Sequence, residues 1–251
     1  MSLADQLACE VSRIISQPGN VRDGRVVPST DQVVLAGDAV NLEATVLYAD
    51  LAQSSQLGTD FDRRTGAKVI RAFLYCMCRL IKECGGEVTS FDGDRVMGVF
   101  LEGPKNTNAA KCALKMNHAV SHIIAPMLRD HLASLKTVGF RISHCVGVDT
   151  SNVLVVRAGQ RGANDLVWIG RAPNLAAKLS DIRQANYRSW VSADVYSRMD
   201  EPAKYGRADG DYPLLSRWLG RPVRAPMWRR RFFPFAGRLM TAYASNWSWR
   251  P

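Results

Sequence analysis

Two aspartates, Asp50 and Asp94, stand 44 positions apart, each at the mouth of an apolar run that reads as a buried β-strand. The first closes Thr45-Val-Leu-Tyr-Ala-Asp50, and the second opens Asp94-Arg-Val-Met-Gly-Val-Phe100 after Gly93. Apolar runs of this length belong in the interior of a sheet, which leaves both carboxylates at its rim. Alone, each admits a plainer reading, since an Asp often ends a strand and Asp92-Gly-Asp94 is a good hairpin turn. A third landmark, Trp168-Ile-Gly-Arg-Ala-Pro-Asn-Leu-Ala-Ala-Lys178, follows further along.

Two rim carboxylates suit a triphosphate wrapped in Mg²⁺, a hard ion that takes one or two carboxylates and leaves the rest to phosphate and water. Two such ions, roughly 3.5–4 Å apart, activate an attacking oxygen and stabilise a leaving one. After Asp50 and Leu51, the stretch Gln53-Ser54-Ser55-Gln56-Leu57-Gly58 has the small polar residues of a helix start, whose free amides can cradle phosphate. Leu51 and Ser54 therefore join the substrate-binding positions.

The surrounding pattern predicts the frame. Residues 1–40 read as an arm, with a short amphipathic helix around Leu3, Leu7, Val11 and Ile14 and then a Gly/Pro/Asp-rich linker. Ile70, Phe73, Leu74, Met77, Leu80 and Ile81 mark a helix over 65–84, stopped by Gly85-Gly86. A second helix spans 106–135 and is interrupted near Pro126. Residues 139–149 and 152–157 form a hairpin about Thr150-Ser151. The order predicts an α+β domain with two helices on one face of an antiparallel-rich sheet, a ferredoxin-like arrangement.

From about residue 40 to 200 the chain resembles a class III nucleotidyl cyclase catalytic domain. Tyr48-Ala-Asp-Leu51 is similar to that family's first metal segment, Gly93–Phe100 to its metal hairpin, and Ile169–Leu179 to its transition-state helix. The resemblance implies a head-to-tail homodimer with both sites in the interface. Asp50 and Asp94 of one chain would hold two Mg²⁺ or Mn²⁺ ions. Asn174 of the other would orient the ribose and Lys178 would stabilise the transition state. Domains follow as an arm over 1–40, a catalytic domain over 41–200 and a basic, aromatic-rich extension over 201–251 that completes it.

The departures narrow the substrate. The positions that read adenine in adenylate cyclases of the family hold Ser90 and Val167, which match the guanylate cyclase pair no better. A site built on hydrogen bonds to a purine loses strongly when its polar groups are removed. Tyr48 before the first aspartate and Arg95 after the second add bulk and a cation. On these features the chain is most similar to the pyrimidine cyclases of bacterial Pycsar antiphage defence, which make a cyclic nucleotide for a separate effector. UTP is expected over CTP, because Arg95 can donate to a carbonyl-rich base. A solvated hairpin charge is the other reading of Arg95. Arg157 and Arg161 are candidates for the triphosphate or plain loop charges. Arg171 replaces the family's usual Asp, and Lys178 its usual Arg. An adenylate cyclase with an atypical base pocket and a catalytically inactive nucleotide-binding module remain alternatives.

Composition bounds partners and compartment. At 251 residues and 47% hydrophobic, the chain can bury a full core without disulfides. Its six cysteines lack a C-x₂-C pair and read as reduced residues of a cytoplasmic protein. No stretch suits a membrane span or signal peptide. The formal charge of +10 has many of its arginines in the last 50 residues, among them Arg217, Arg221, Arg224, Arg229, Arg230, Arg231 and Arg238, interleaved with Trp218, Trp228, Phe232, Phe233 and Phe235. That mixture also marks single-strand binders, but a basic rim over a dimer interface is preferred, with nucleic acid set aside. His118 and His122, four apart and without a third ligand, read as ordinary helix residues.

Overall fold

The structure, a computed structural model, describes residues 1–35, 37–184, 187–207 and 224–251. In chain order the elements are α1 (Leu3–Ser16), β1 (Asn20–Asp23), β2 (Asp38–Ala52), α2 (Ser54–Thr59), α3 (Arg63–Glu83), β3 (Glu87–Asp92), β4 (Arg95–Phe100) and α4 (Lys105–His118). A π-helical turn (Ala119–Ile124) leads into α5 (Ala125–His131), then α6 (Ala133–Val138), β5 (Ser143–Gln160), β6 (Ala163–Gly170), α7 (Arg171–Ser180), β7 (Ser189–Ser192) and α8 (Ala193–Arg198). The chain continues through α9 (Glu201–Lys204), β8 (Tyr205–Arg207), β9 (Arg224–Pro226), β10 (Arg229–Phe235) and β11 (Arg238–Ser245).

Among the described residues the main sheet runs β10-β11-β7-β5-β2-β4-β3, with β1 added to β2 and β6 to β5. At its centre β2 pairs antiparallel with both β5 and β4. It is apolar on both sides because both faces are covered. Leu47, Ala49 and Leu51 pack with Phe73, Met77 and Ile81 of α3 and Ala109, Ala113 and Met116 of α4. Ala44 and Val46 face the other way, onto Ala172 and Ala176 of α7. The two long helices thus share one face as expected, and α7 covers the opposite one. It lies so close that a Cβ on Gly147 would come within 2.1 Å of the Ala176 carbonyl oxygen.

α3 starts where the sequence indicates: the Asp62 side chain accepts from the amides of Arg64 and Thr65, and Gly85 ends it at φ +80°. The expected interruption near Pro126 is displaced. The π-helical turn shifts the hydrogen-bond register so that the Ala125 amide bonds the Val120 carbonyl, and Pro126 falls in the first turn of α5, where its missing N–H costs little. The break comes at Leu132 instead.

The expected hairpin about Thr150-Ser151 is also corrected. β5 runs straight through these residues, and its hairpin partner is β6, with the turn at Arg161-Gly162. Thr150 stays in the ladder because β2 satisfies its hydroxyl, whose Oγ1 donates to the Ala44 carbonyl at 3.2 Å and accepts from Thr45 Oγ1 at 3.1 Å, while the Ser151 hydroxyl accepts from the Ala172 amide of α7. Buried hydroxyls with partners inside the sheet have no need of a turn.

β1 pairs parallel with the start of β2, anchoring the N-terminal arm, while α1 buries none of its residues. At the far edge β10 and β11 extend the sheet beyond β7. Trp228 and Phe233 of the C-terminal region are buried, and Trp228 Nε1 donates to the Ala203 carbonyl. Trp228 and Phe233 therefore serve the core, whereas Phe232 is exposed with the Arg230 guanidinium 5.1 Å from its ring. Arg217, Trp218 and Arg221 lie outside the described residues. No described helix is long and apolar enough to cross a membrane.

Candidate active site

The pairing register builds the site. Asp50 stands opposite Arg95, which places Asp94 one residue on, in the tight turn between β3 and β4. The turn is possible because Gly93 adopts φ +61°. Asp50 is an even-numbered position of β2, so it faces the α7 side of the sheet, as Tyr48 does. Tyr48 lies opposite Met97, and Met97 opposite Ser90, so both lie on one patch, with the Ser90 hydroxyl beside the Tyr48 phenol. The Arg95 guanidinium is 6.0 Å from the Tyr48 ring. Tyr48, Asp50, Ser90, Asp94 and Arg95 are therefore gathered at one sheet end.

Asp50 is buried and doubly paired. Arg95 Nε donates to its Oδ1 at 3.3 Å, and Arg183 Nη2 donates to its Oδ2. The other end of Arg95 pairs with Asp181. Burial pushes the Asp50 pKa above the ordinary carboxylate value; the Arg183 hydrogen bond and the Arg95 charge pull against that, while the Asp94 charge adds to it. Asp94 differs: its Oδ2 is buried with no hydrogen-bond partner among the described residues. A buried carboxylate oxygen without a donor is costly, and a cation removes the cost. The donor set, two carboxylates with one orphaned oxygen, fits a hard divalent ion. Among the described residues no group of three or more His, Cys, Asp or Glu is arranged to hold a metal. A two-carboxylate site of this kind leaves most ligand positions to a triphosphate and water.

Among the described residues, no hydrogen bond or ion pair joins the remaining predicted residues to this cluster. Asn174 and Lys178 are exposed on α7, and Asn174 Nδ2 donates to its own chain's Gly170 carbonyl at 2.9 Å. Val167 pairs with Val156 on β5, whereas Asp50 pairs with Cys145. At ~3.3 Å per residue the two positions lie roughly 35 Å apart along that strand. Arg157 is further out and donates to Asn164 at 2.6 Å; Arg161 sits in the turn beyond. Leu51 points into the opposite core, so its side chain packs and cannot line the pocket. Ser54 opens the six-residue α2, entered through Gln53 at φ +61°. His118 and His122 stack on each other, their ring centroids 4.4 Å apart.

Two residues that matter here carry no motif. Asp181 and Arg183 follow α7 and reach Arg95 and Asp50 from 86 and 133 positions away, a distance no local pattern encodes. Arg171 did give a signal, as a departure from the family pattern. It forks onto the fully buried Asp149, donates to the Thr150 carbonyl at 2.8 Å, and pairs with Asp194 at the start of α8. Its task is to fasten the first turn of α7 to β5.

No family model matches the chain. A uridylate cyclase of Rhodovulum sp. (strain MB263) is 41% identical over 250 residues, covering 100% of this chain and 98% of its own. A uridylate cyclase of Xanthomonas perforans is 34% identical over 251 residues, covering 100% and 99%. The chain belongs to the uridylate cyclases. It is thus a nucleotidyl cyclase, and its fold agrees with that assignment. The solved structure of a bacterial light-regulated adenylyl cyclase superposes with a TM-score of 0.64 at 18% identity, over 84% of this chain and 53% of its own length. The cluster of Asp50, Asp94 and their arginines lies at one end of this sheet.

Proposed function

We propose that this chain converts UTP to the 3′,5′-cyclic monophosphate and pyrophosphate, working as a homodimer in the cytoplasm. The carrying observation is that Asp50 neighbours Asp94, one of whose oxygens is buried without a hydrogen-bond partner among the described residues. Asp50 and Asp94 would hold two Mg²⁺ or Mn²⁺ ions, which supply charge to lower the pKa of the ribose 3′-oxygen and to gather that of the leaving pyrophosphate. The chain's own residues do the rest. Tyr48 and Ser90 form the floor of the base pocket, and Arg95 beside them can offer N–H donors to uracil carbonyls. Val167 supplies no acceptor for a purine amine.

The separation along β5 supports the dimer. One chain cannot bring Val167, Arg157 or Arg161 to its own Asp50, whereas a head-to-tail partner can present these residues together with Asn174 and Lys178. Val167 and Ile169 are 43% and 51% exposed, an apolar strip on β6 in keeping with such a partner. Asn174 would orient the ribose and Lys178 would place positive charge on the pentacovalent phosphorus, as a point charge and not a planar fork. The preference for UTP is supported by the full-length relatives named uridylate cyclase and by the missing purine-reading pair. The role of the product as a messenger to a separate antiphage effector is supported by the resemblance to Pycsar cyclases.

The test is to offer the four triphosphates singly with Mn²⁺ and to identify products by mass spectrometry. UTP should exceed ATP and GTP at least about tenfold in kcat/KM, roughly 1.4 kcal/mol, with CTP second. Arg95→Ala should cost more with UTP than with the poor substrates. ATP emerging as the best substrate would sink the pyrimidine reading.

A further inference from the structure

Asp50 has a feature that the metal reading alone does not require: both of its oxygens already carry a guanidinium. A buried carboxylate left alone is strongly unfavourable, so some cation must accompany it before a metal arrives. The two arginines are not equivalent. Arg95 bridges Asp50 and Asp181, lies beside Tyr48, and is 22% exposed. Arg183 is 39% exposed, on the segment that follows α7, and Asp50 is its one carboxylate partner among the described residues. Its other nitrogen, Nη1, donates to the Ser180 carbonyl at 2.6 Å, at the C-terminal end of α7. That end of a helix favours a cation. Arg183 can therefore swing off Asp50 into water and keep a favourable anchor, while Arg95 cannot leave without stripping two carboxylates.

We propose that Arg183 is a displaceable counter-ion on the metal carboxylate, a positioning residue that holds and orients Asp50 until a divalent cation takes its place. The inference rests on the reading of Asp50 and Asp94 as the metal pair. Three carboxylates, Asp50, Asp94 and Asp181, face two guanidiniums, so the site attracts one further cation only modestly. Releasing Arg183 raises that attraction. Weak binding of metal alone then becomes a built-in property, and an incoming triphosphate, which offers Arg183 new acceptors, favours the exchange.

The experiment measures Mn²⁺ binding to the full chain without nucleotide, by loss of the free-ion electron paramagnetic resonance signal. Arg183→Gln should bind Mn²⁺ about tenfold more tightly than wild type, since it removes one positive charge from the contested oxygen. Arg183→Lys should bind as wild type. Arg198→Gln, which removes the same charge from the exposed pair with Glu43, should change nothing. The rise in melting temperature produced by saturating Mn²⁺ should be larger in Arg183→Gln than in wild type, because binding to the folded state is tighter. Asp50→Asn serves as the reference. If Asp50→Asn loses Mn²⁺ while Arg183→Gln binds it equally or more weakly than wild type, the counter-ion role is overturned. If Asp50→Asn leaves Mn²⁺ binding intact, the metal pair itself is misassigned.

Discussion

Helix α7 has an arginine–aspartate cluster at each end. At its start, Arg171 forks onto Asp149, which is fully buried, and a hydrogen bond from Ser192 and the neighbouring Thr150 amide also hold that carboxylate. At its finish, Arg183 and Arg95 share Asp50, and the neighbouring Asp94 keeps a buried oxygen with no donor. Both aspartates have raised pKa values, and in both burial is the leading cause. The first cluster is saturated; the second holds an unmet acceptor and a partly exposed arginine. Saturated polar groups rigidify a fold, whereas an unmet one marks a place where a ligand completes the set.

The comparison breaks if the two clusters respond alike to mutation. Asp94→Ala should lower turnover by about a thousandfold or more, roughly 4 kcal/mol in transition-state binding. It should leave the melting temperature near wild type, since it removes an orphaned oxygen and no packing. Asp50→Ala should match it in turnover. Near-wild-type turnover in either variant would refute the metal assignment. Arg171→Ala should do the reverse and unfold the protein more easily by about 3 kcal/mol, because it strands a buried charge. Urea denaturation reads that loss, and an unchanged midpoint would mean that Asp149 finds another partner.

The smallest effect sharpens the contrast through pH. The folded state of Asp149 holds its proton more tightly than the unfolded chain, so its ionised form costs stability above the raised pKa. That cost is recovered as pH falls through the raised value toward the ordinary 3.8. Wild type should therefore gain on Asp149→Asn as denaturation is followed from pH 7 to pH 4. A gap that moves the other way would show that Arg171 outweighs burial.

Much of this was legible in the chain. The apolar run before Asp50, the Gly93 turn and the α3 stripe are local signals, and each local rule pointed to the element that formed. The misreadings have physical causes. Thr150-Ser151 reads as a turn because polar residues of that kind favour turns, but Thr45 and Ala44 on β2 supply partners that keep the strand straight. Pro126 reads as a helix break, but a change to π register absorbs its missing N–H. Among the C-terminal aromatics, Trp228 and Phe233 are buried in the core, which a local pattern of arginines and aromatics does not reveal.

The sequence by itself determined the periodicities, the caps and the identity of the two rim aspartates, because these depend on neighbours a few positions away. It also held the absence of a purine-reading pair. Only the tertiary structure decided which charges meet. Arg183 comes to Asp50, and Arg171 to Asp149, because Gly147 lets α7 lie directly on β5 and so aims each end of the helix at a buried carboxylate. Electrostatic partnership depends on distance in space, and the chain carries no local mark of it.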